Sequence, residues 1–321
     1  MTESTPRGYS FHYERVLGTS LELQVVAIDD DSARSAEESV LAEVDRLAEI
    51  LSGYSATSEL ARWQEQHGTV ASVSPELADV LAAAEEWRMY TGGTFNPAVT
   101  SLVELLRDAA PAPDAAAATD TAARQASVNE RIRALRQPLW TVNRTRGVAC
   151  RLTHLQVSLD GIAKGYIVDR AASCASAVEG VTQVLVNIGG DLCHHGTRSL
   201  AVAVSDPMAP AENAPPIAVV WLKGESLATS GGYRRGFTMG GHAVSHILDP
   251  RTGRPASRVT SASVIAPDCA SADALSTAFS VLTPGESVEL ADSLQGVGCL
   301  MVERDGTITS NEAWRAHAAA A

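Results

Sequence analysis

The sequence lacks the features that mark most membrane, secreted and nucleic-acid-binding chains. Residues 1–18 contain no apolar segment or cleavage signal of a secretory leader, and no apolar run is long enough to span a bilayer. Positive charge is also scarce, since 38 acidic residues against 25 basic ones give a formal net charge of −13. This balance argues against a protein that binds the nucleic-acid backbone, and against adsorption to an anionic membrane.

Cysteines that could form a regular framework are missing as well. The five cysteines are odd in number, widely spaced and without a C-x-x-C pair: Cys150, Cys174, Cys193, Cys269 and Cys299. This usage predicts reduced thiols in a cytoplasmic protein rather than a disulfide scaffold or a zinc site. The chain does have 321 residues, 45% of them hydrophobic, which is enough for a globular protein with a sizeable core.

Hydrophobic periodicity and capping residues predict a mixture of helices and strands. Helices are predicted at 30–51, 75–90, 98–107, 128–136, 161–178 and 270–279, and strands at 21–28, 183–187, 200–204, 217–222, 243–248, 261–266 and 299–302. The clearest helix start is Ser74-Pro75, a capping residue followed by proline in the first turn. Irregular alternation and hairpin-like spacing favour an α+β fold with mostly antiparallel sheets over a doubly wound parallel sheet.

Composition also suggests how the chain is divided. Residues 1–18 form a tail leading into the first strand, 19–315 form a single domain, and 316–321 form a C-terminal tail. Within the domain, the segment at about 109–124 is rich in alanine, proline and aspartate. Such a composition is typical of a low-complexity surface insertion, for which no structure is predicted.

The predicted helix at 270–279 carries a carboxylate and a hydroxyl one turn apart. Asp273 and Thr277 stand at positions i and i+4 and therefore project from the same face. Oxygen ligands so arranged suit a hard cation. The alternative is an acid that only stabilises the N-terminus of the helix.

Two glycine-rich segments are candidates for ligand contacts. Gly161-Ile162-Ala163-Lys164-Gly165 opens a helix, so its free amides and Lys164 could bind phosphate; the alternative is a glycine-rich helix start with a solvated lysine. Asn187-Ile188-Gly189-Gly190-Asp191 follows a strand and is either a tight turn or a place where a ring approaches bare backbone. His194 and His195 after this turn are predicted to lie in an exposed loop.

The segment from His246 to Gly253 is the richest in chemically active side chains. His246 beside Asp249 could act as a general base near neutral pH. The alternatives are a core histidine and a simple turn, with Asp249 starting it and Gly253 ending it. Tyr54 lies between two predicted helices, where it is either a core residue or a platform on which a planar ligand stacks.

Taken in order, these segments resemble the FAD:protein FMN transferase family, also called ApbE-like. The matching stretches cover the chain from the first strand to near the C-terminus: 17–19, 54–60, 91–97, 157–169, 186–191, 228–237, 246–255 and 263–278. The resemblance implies a T-fold-like α+β fold. It also implies a magnesium-dependent enzyme that attaches FMN from FAD to a serine or threonine of a target flavoprotein and releases AMP.

The same resemblance assigns roles to residues of this sequence. It places Gly161, through its backbone carbonyl, with Asp273, Ser276 and Thr277 at the metal site. His246 matches the histidine of the family's H-x-x-D-P signature; Asp249 and Lys164 complete the candidate catalytic group. Flavin-nucleotide contacts are implied for eight positions: Leu17, Tyr54, Thr94, Phe95, Asn96, Ser158, Lys164 and Ile247.

The sequence departs from the family pattern at several of these positions. The family often has aspartate at four of them, which here are Thr57, Asn96, Ser158 and Gly232. Asp160 replaces a usually small residue, and Ser276 stands where some members have a second carboxylate. Two alternatives to transfer therefore remain: hydrolysis of FAD to FMN and AMP in the same site, and a flavin-binding protein without turnover.

Overall fold

The fold is described from a computed structural model. It covers residues 5–108, 119–209, 214–231, 236–239, 242–245 and 248–319. Three positions of interest, Gly232, His246 and Ile247, lie outside the described residues.

The strands, in chain order, are β1 (Arg7–Val16), β2 (Thr19–Ala27), β3 (Val70–Ser72), β4 (Trp140–Asn143), β5 (Val148–Arg151), β6 (Val181–Ile188), β7 (Asp191–Gly196), β8 (Leu200–Val204), β9 (Ala218–Leu222), β10 (Ser226–Gly231), β11 (Gly236–Met239), β12 (His242–Ser245), β13 (Val259–Ala266), β14 (Gly298–Glu303) and β15 (Ile308–Ser310). The helices are α1 (Asp30–Leu51), α2 (Glu59–Gln64), α3 (Pro75–Tyr90), α4 (Thr100–Asp108), α5 (Thr119–Leu135), α6 (Asp160–Ser176), α7 (Cys269–Phe279), α8 (Pro284–Asp292) and α9 (Glu312–Ala319).

An eight-stranded antiparallel sheet organises the fold. Its order is β1-β2-β6-β7-β10-β13-β14-β15, and smaller antiparallel sheets are formed by β3-β5-β4, β8-β9 and β11-β12. The predicted α+β class with mostly antiparallel pairing is thereby confirmed. Strands distant in sequence meet in the centre of the large sheet, where β7 pairs with β10 and β10 with β13.

Both faces of the large sheet are covered by apolar side chains. In β6, Val184 and Val186 belong to the core cluster on the side of α1, α6 and α7, whereas Leu185 belongs to a smaller cluster on the opposite side. This is the alternation that a strand imposes on successive side chains. On the opposite side the cover includes β8, β9 and Trp314 of α9. The sheet therefore holds α6 and α7 side by side on one face.

The contact between α6 and α7 depends on Gly165. A Cβ atom at this position would lie 2.3 Å from the carbonyl oxygen of Cys269 and 2.8 Å from the Cα of Ala270. Both neighbours are backbone atoms, which cannot rotate away. Gly165 therefore sets how closely the two helices approach, and Lys164 and Asp273 depend on that approach.

Substitution of Gly165 by alanine is expected to destabilise the fold. The added methyl group must push α7 away, and overpacking of a close contact typically costs about 1–3 kcal/mol or more. A urea or thermal melt of Gly165→Ala measures this loss. Gly285→Ala is the control because no atom lies within 4 Å of a Cβ at that glycine. Equal stability of the two variants would contradict the role assigned to Gly165.

The structure also contains elements that the sequence analysis did not place. β1 spans Arg7–Val16, where no strand was predicted, and it pairs with β2 along most of its length. Tyr9, Phe11 and Tyr13 alternate along it and pack against the core, and this alternation is the sequence signal for the strand.

In the predicted insertion, α5 begins at Thr119, while 109–118 lie outside the described residues. The division into tails and one domain stays a prediction.

Within the described ranges, no helix combines the length and the apolar composition needed to cross a membrane.

Candidate active site

Asp273 lies inside α7 rather than at its N-terminus. The helix begins with Asp268 as cap, whose side chain accepts a hydrogen bond from the amide of Ser271 at 2.8 Å. Asp169 of α6 accepts the amides of Cys269 at 2.8 Å and Ala270 at 2.9 Å. Asp268 and Asp169 therefore stabilise the helix end, and the interpretation of Asp273 as the N-terminal acid is wrong.

Asp273 is instead part of a buried group of charges. Its side chain is 4% exposed, and its Oδ2 accepts a hydrogen bond from the backbone amide of Gly165 at 3.3 Å. Its carboxyl group lies close enough to that of Asp191 for the two groups to interact electrostatically. Burial, followed by the adjacent negative charge of Asp191, raises the pKa of Asp273 well above its ordinary value.

Lys164 supplies the positive charge beside this pair of carboxyl groups. Its Nζ lies 2.6 Å from Oδ2 of Asp191, and its side chain is 29% exposed. Burial alone would lower the pKa of Lys164, but Asp191 and Asp273 outweigh it and the pKa is raised. Burial raises the pKa of Asp191, while Lys164 opposes that rise. The lysine is therefore ion-paired, which excludes the simple solvated lysine considered from the sequence.

Gly161 and Thr277 face each other where α6 begins. Gly161 has non-helical backbone angles, φ −87° and ψ 15°, and a Cβ there would lie 3.1 Å from Oγ1 of Thr277. Four residues further along α6, the amide of Gly165 donates to Oδ2 of Asp273. This geometry brings the predicted backbone ligand and hydroxyl ligand together.

Ser276 has a different environment from Thr277. It is fully buried, and its hydroxyl lies 3.0 Å both from Oγ of Ser230 and from the carbonyl oxygen of Asp273. Ser230 in turn lies 3.4 Å from Oγ1 of Thr277. The hydroxyl groups of Ser276 and Thr277 are therefore linked through the hydroxyl of Ser230. Ser230 lies in β10 and is not among the site residues predicted from the sequence.

The residues present offer mainly oxygen donors for a cation. The predicted set combines the carboxylate of Asp273, the hydroxyls of Ser276 and Thr277, and the Gly161 backbone. This chemistry fits a hard ion such as Mg²⁺. Among the described residues, no group of three or more His, Cys, Asp or Glu side chains could hold a metal ion. A cation here would thus depend on hydroxyl and backbone oxygens as well as carboxylates.

The predicted contacts at 94–96 are buried beside Gly161. Phe95 is 3% exposed, and its ring lies 3.3 Å from the position of a Cβ at Gly161. The hydroxyl of Thr94 donates to the carbonyl of Thr91 at 2.9 Å. Asn96 donates to the carbonyl of Leu135 and accepts from the amide of Ala98. Both ends of the Asn96 amide are therefore satisfied within the protein.

Tyr54 and Ser158 lie at the start of α6. Tyr54 is 83% exposed, which excludes the core interpretation, and its hydroxyl donates to Oδ2 of Asp160 at 3.1 Å. Ser158 accepts the amide of Asp160 at 3.2 Å. Leu159, the helix cap, provides no side-chain acceptor. An exposed aromatic ring therefore stands beside the N-terminus of α6, where the amides of Asp160, Ile162 and Ala163 already donate within the protein.

Leu17 lies in a strained turn at the same end of the sheet as the turn before Asp191. Leu17 and Gly18 link β1 to β2 with φ values of +49° and +78°. A positive φ is uncommon for leucine. The amide of Gly189, in the turn before Asp191, donates to Ser20 at 3.1 Å, so the two turns are neighbours.

Asp249 is held by its own turn. Its carboxylate accepts hydrogen bonds from the backbone amide of Arg251 at 2.8 Å and from the guanidinium at 3.0 and 3.1 Å. The amide of Gly253 closes the turn on the carbonyl of Asp249. The partner found for Asp249 is thus Arg251, and its role beside His246 stays a prediction because His246 lies outside the described residues.

His194 does not lie in an exposed loop, and that prediction is wrong. The Gly189-Gly190 turn is followed directly by β7, which carries His194 into the interior with 0% exposure. Its Nδ1 accepts the amide of Gly224 at 3.1 Å, and burial lowers its pKa.

A cavity of about 510 Å³ lies apart from the predicted residues. Its lining includes Tyr166, Asp169, His195 and Asp268, but neither Lys164 nor Asp273. The candidate site is thus defined by its network of side chains and not by this cavity.

Known proteins resemble this chain over nearly its whole length. The ApbE family model matches residues 17–301. An FAD:protein FMN transferase of Klebsiella pneumoniae is 28% identical over 91% of this chain and 83% of its own length. One of Treponema pallidum is 30% identical over 93% and 85%. The crystal structure of the ApbE protein of Thermotoga maritima superposes with a TM-score of 0.80 at 26% identity, covering 97% of this chain and 99% of the other.

Proposed function

The chain belongs to the ApbE family, and on this basis we propose how its residues carry out the FMN transfer of an FAD:protein FMN transferase. We propose that a divalent cation, Mg²⁺, assists the transfer of FMN from FAD to a serine or threonine hydroxyl of a target flavoprotein. AMP is the other product. The observation that carries this proposal is the buried group of Lys164, Asp191 and Asp273 beside Gly161 and Thr277.

The predicted contact residues bind different parts of FAD. Lys164 binds pyrophosphate oxygens, and the positive end of the α6 dipole favours the same anion. Tyr54, held by Asp160, offers its exposed face to the planar ring system. Leu17, Thr94, Phe95, Asn96, Ser158 and Ile247 complete the proposed contact set.

The reaction requires groups that neutralise the negative charge of the phosphates, and it requires a proton acceptor for the incoming hydroxyl. We assign the cation to Gly161, Asp273, Ser276 and Thr277; a bound divalent ion would neutralise phosphate oxygens as the bond to AMP breaks. His246 takes the proton from the acceptor hydroxyl, with Asp249 as its proposed partner. A cytoplasmic location is proposed with the enzyme, supported by its five free thiols.

Release of AMP tests this function. The protein is incubated with FAD and Mg²⁺, with and without a candidate acceptor flavoprotein, and AMP and acceptor-bound flavin are measured. Transfer predicts AMP only with the acceptor, together with covalent flavin on it. AMP without any acceptor would favour hydrolysis, and binding of FAD without AMP in either mixture would favour a flavin-binding protein.

The protein is expected to bind FAD much more tightly than riboflavin. Lys164 and the cation site act on the pyrophosphate, which riboflavin lacks. One hydrogen bond to a charged group contributes about 1.5–3 kcal/mol, or roughly a 10- to 150-fold difference in affinity. Parallel fluorescence titrations with FAD, FMN and riboflavin in Mg²⁺ measure the difference. Equal affinities would exclude a phosphate-directed site.

A further inference from the structure

We propose that Asp191 is a positioning residue of this site, which joins Lys164 and Asp273 into one unit for the cation and the pyrophosphate. The inference rests on the proposed function. Asp191 belongs to neither the predicted metal ligands nor the predicted nucleotide contacts. It is the first residue of β7, and it is 1% exposed.

The position of Asp191 follows from the turn that precedes it. Gly189 and Gly190 have φ values of +62° and +98°, which glycine adopts without strain. A Cβ at Gly189 would lie 2.7 Å from Thr19, so this turn also packs closely on β2. The tight turn places the carboxyl group at the very start of β7, in the layer between the sheet and the helices.

The partners of Asp191 come from three separate elements. Oδ2 lies 2.6 Å from Nζ of Lys164 in α6, and the carboxyl group interacts electrostatically with that of Asp273 in α7. The backbone of Thr229 in β10 lies beside the same carboxyl group. Asp191 is thus the one side chain described here that contacts both the proposed phosphate-binding ammonium and the proposed cation ligand.

A purely structural role explains this arrangement poorly. Two adjacent buried carboxyl groups disfavour the folded state, and buried ionic groups can often be replaced by apolar residues without loss of stability. Asp169 shows what a structural carboxylate does here, since it bonds the first amides of α7. Asp191 bonds no amide of α7 and contacts instead the charged groups of the site.

The charges around Asp191 favour a role toward a cation. One ammonium, that of Lys164, faces two carboxyl groups, so one negative charge remains for a divalent ion once both carboxyl groups are ionised. α7 itself carries Ser276 and not a second carboxylate, and the structure brings Asp191 to Asp273 from another element. Asp191 therefore adds negative charge beside the proposed cation site, and it also holds the ammonium of Lys164 at a fixed distance from that site.

The first test is Asp191→Asn, which keeps the size of the side chain and one side-chain oxygen. Flavin fluorescence gives FAD affinity over a series of Mg²⁺ concentrations. Loss of one nearby charge is expected to raise the half-saturating Mg²⁺ concentration at least about tenfold. The control is Asp169→Asn, which is expected to change the melting temperature but not the Mg²⁺ dependence. An unchanged Mg²⁺ dependence in folded Asp191→Asn, or an equal shift in Asp169→Asn, overturns the proposal.

The second test measures coupling between Asp191 and Lys164. Lys164→Met is compared in the wild-type and Asp191→Asn backgrounds by FAD titration in EDTA. Coupled residues give non-additive effects, so Lys164→Met is expected to weaken FAD binding much less in the Asp191→Asn background. Additive effects overturn the proposal.

If Asp191→Asn does not fold, the proposal is tested with the Lys164→Met variant alone. Without the competing ammonium, the half-saturating Mg²⁺ concentration is expected to fall, and an unchanged value overturns the proposal. Failure of the proposed function is distinguishable, because it appears as absent AMP release in the wild-type protein. If only this inference fails, the wild-type protein still transfers FMN. The variants then show no change in the half-saturating Mg²⁺ concentration, or no coupling between Asp191 and Lys164.

Discussion

Replacement of Asp273 by alanine is expected to abolish Mg²⁺-dependent FMN transfer while the protein stays folded. Asp273 is the only carboxylate among the four proposed ligands, and a hard cation with too few anionic ligands binds weakly. Metal affinity should fall more than tenfold, which is at least about 1.4 kcal/mol. The fold should survive because the substitution also removes one of two adjacent buried carboxyl groups.

The companion variant Asp273→Asn separates charge from shape. It keeps the size of the side chain and an oxygen for the amide of Gly165, so only the negative charge is lost. Both variants should lose transfer, measured as AMP released at several Mg²⁺ concentrations, and both should keep a cooperative melt. Full Mg²⁺-dependent activity in either variant would show that the cation binds elsewhere.

Replacement of His246 by alanine is expected to lower the transfer rate by roughly a hundredfold or more, the usual scale for a positioned general base. The affinity for FAD should change little, because a base acts in the transition state and not in ground-state binding. A single-turnover transfer rate, an FAD titration and a melting curve measure the three quantities. A core histidine would instead give lost stability and lost binding together.

Asp249→Asn is the companion variant for this experiment. The carboxylate of Asp249 is engaged by the guanidinium and amide of Arg251, so the substitution is expected to loosen the turn and, by removing the proposed partner of His246, to lower the transfer rate as well. Comparison of His246→Ala, Asp249→Asn and the double variant shows whether the two residues act as a unit. A rate that is unchanged in His246→Ala, or that falls only in step with the melting temperature, removes the base assignment.

Local signals were sufficient for the elements that carry strong patterns. The cap at Ser74 and the proline after it begin α3, and the predicted strand at 21–28 is β2 with Leu21, Leu23 and Val25 buried. β1 was missed because a strand with one solvated face looks like a polar tail when its period of two is not followed. α9 was missed because its apolar stripe is short.

The site itself was only partly accessible from the sequence. The spacing of Asp273 and Thr277 predicted one helix face, but not the contact with Asp191, which requires the order of strands in the sheet. Likewise, the sequence shows that Asn96 is polar, but not that its amide is satisfied by Leu135 and Ala98. Contacts between elements distant along the chain leave no periodic signal.

The close approach at Gly165 has a consequence for ion selectivity. Since backbone meets backbone there, α7 cannot move toward α6, and bulk added at the contact would only separate the helices. A larger side chain at residue 165 would therefore move Asp273 on α7 away from Gly161 on α6. Ca²⁺ requires longer bonds and more ligands than Mg²⁺, so such a separation would shift the proposed cation site toward the larger ion. The absence of a side chain at Gly165 thus favours the smaller ion.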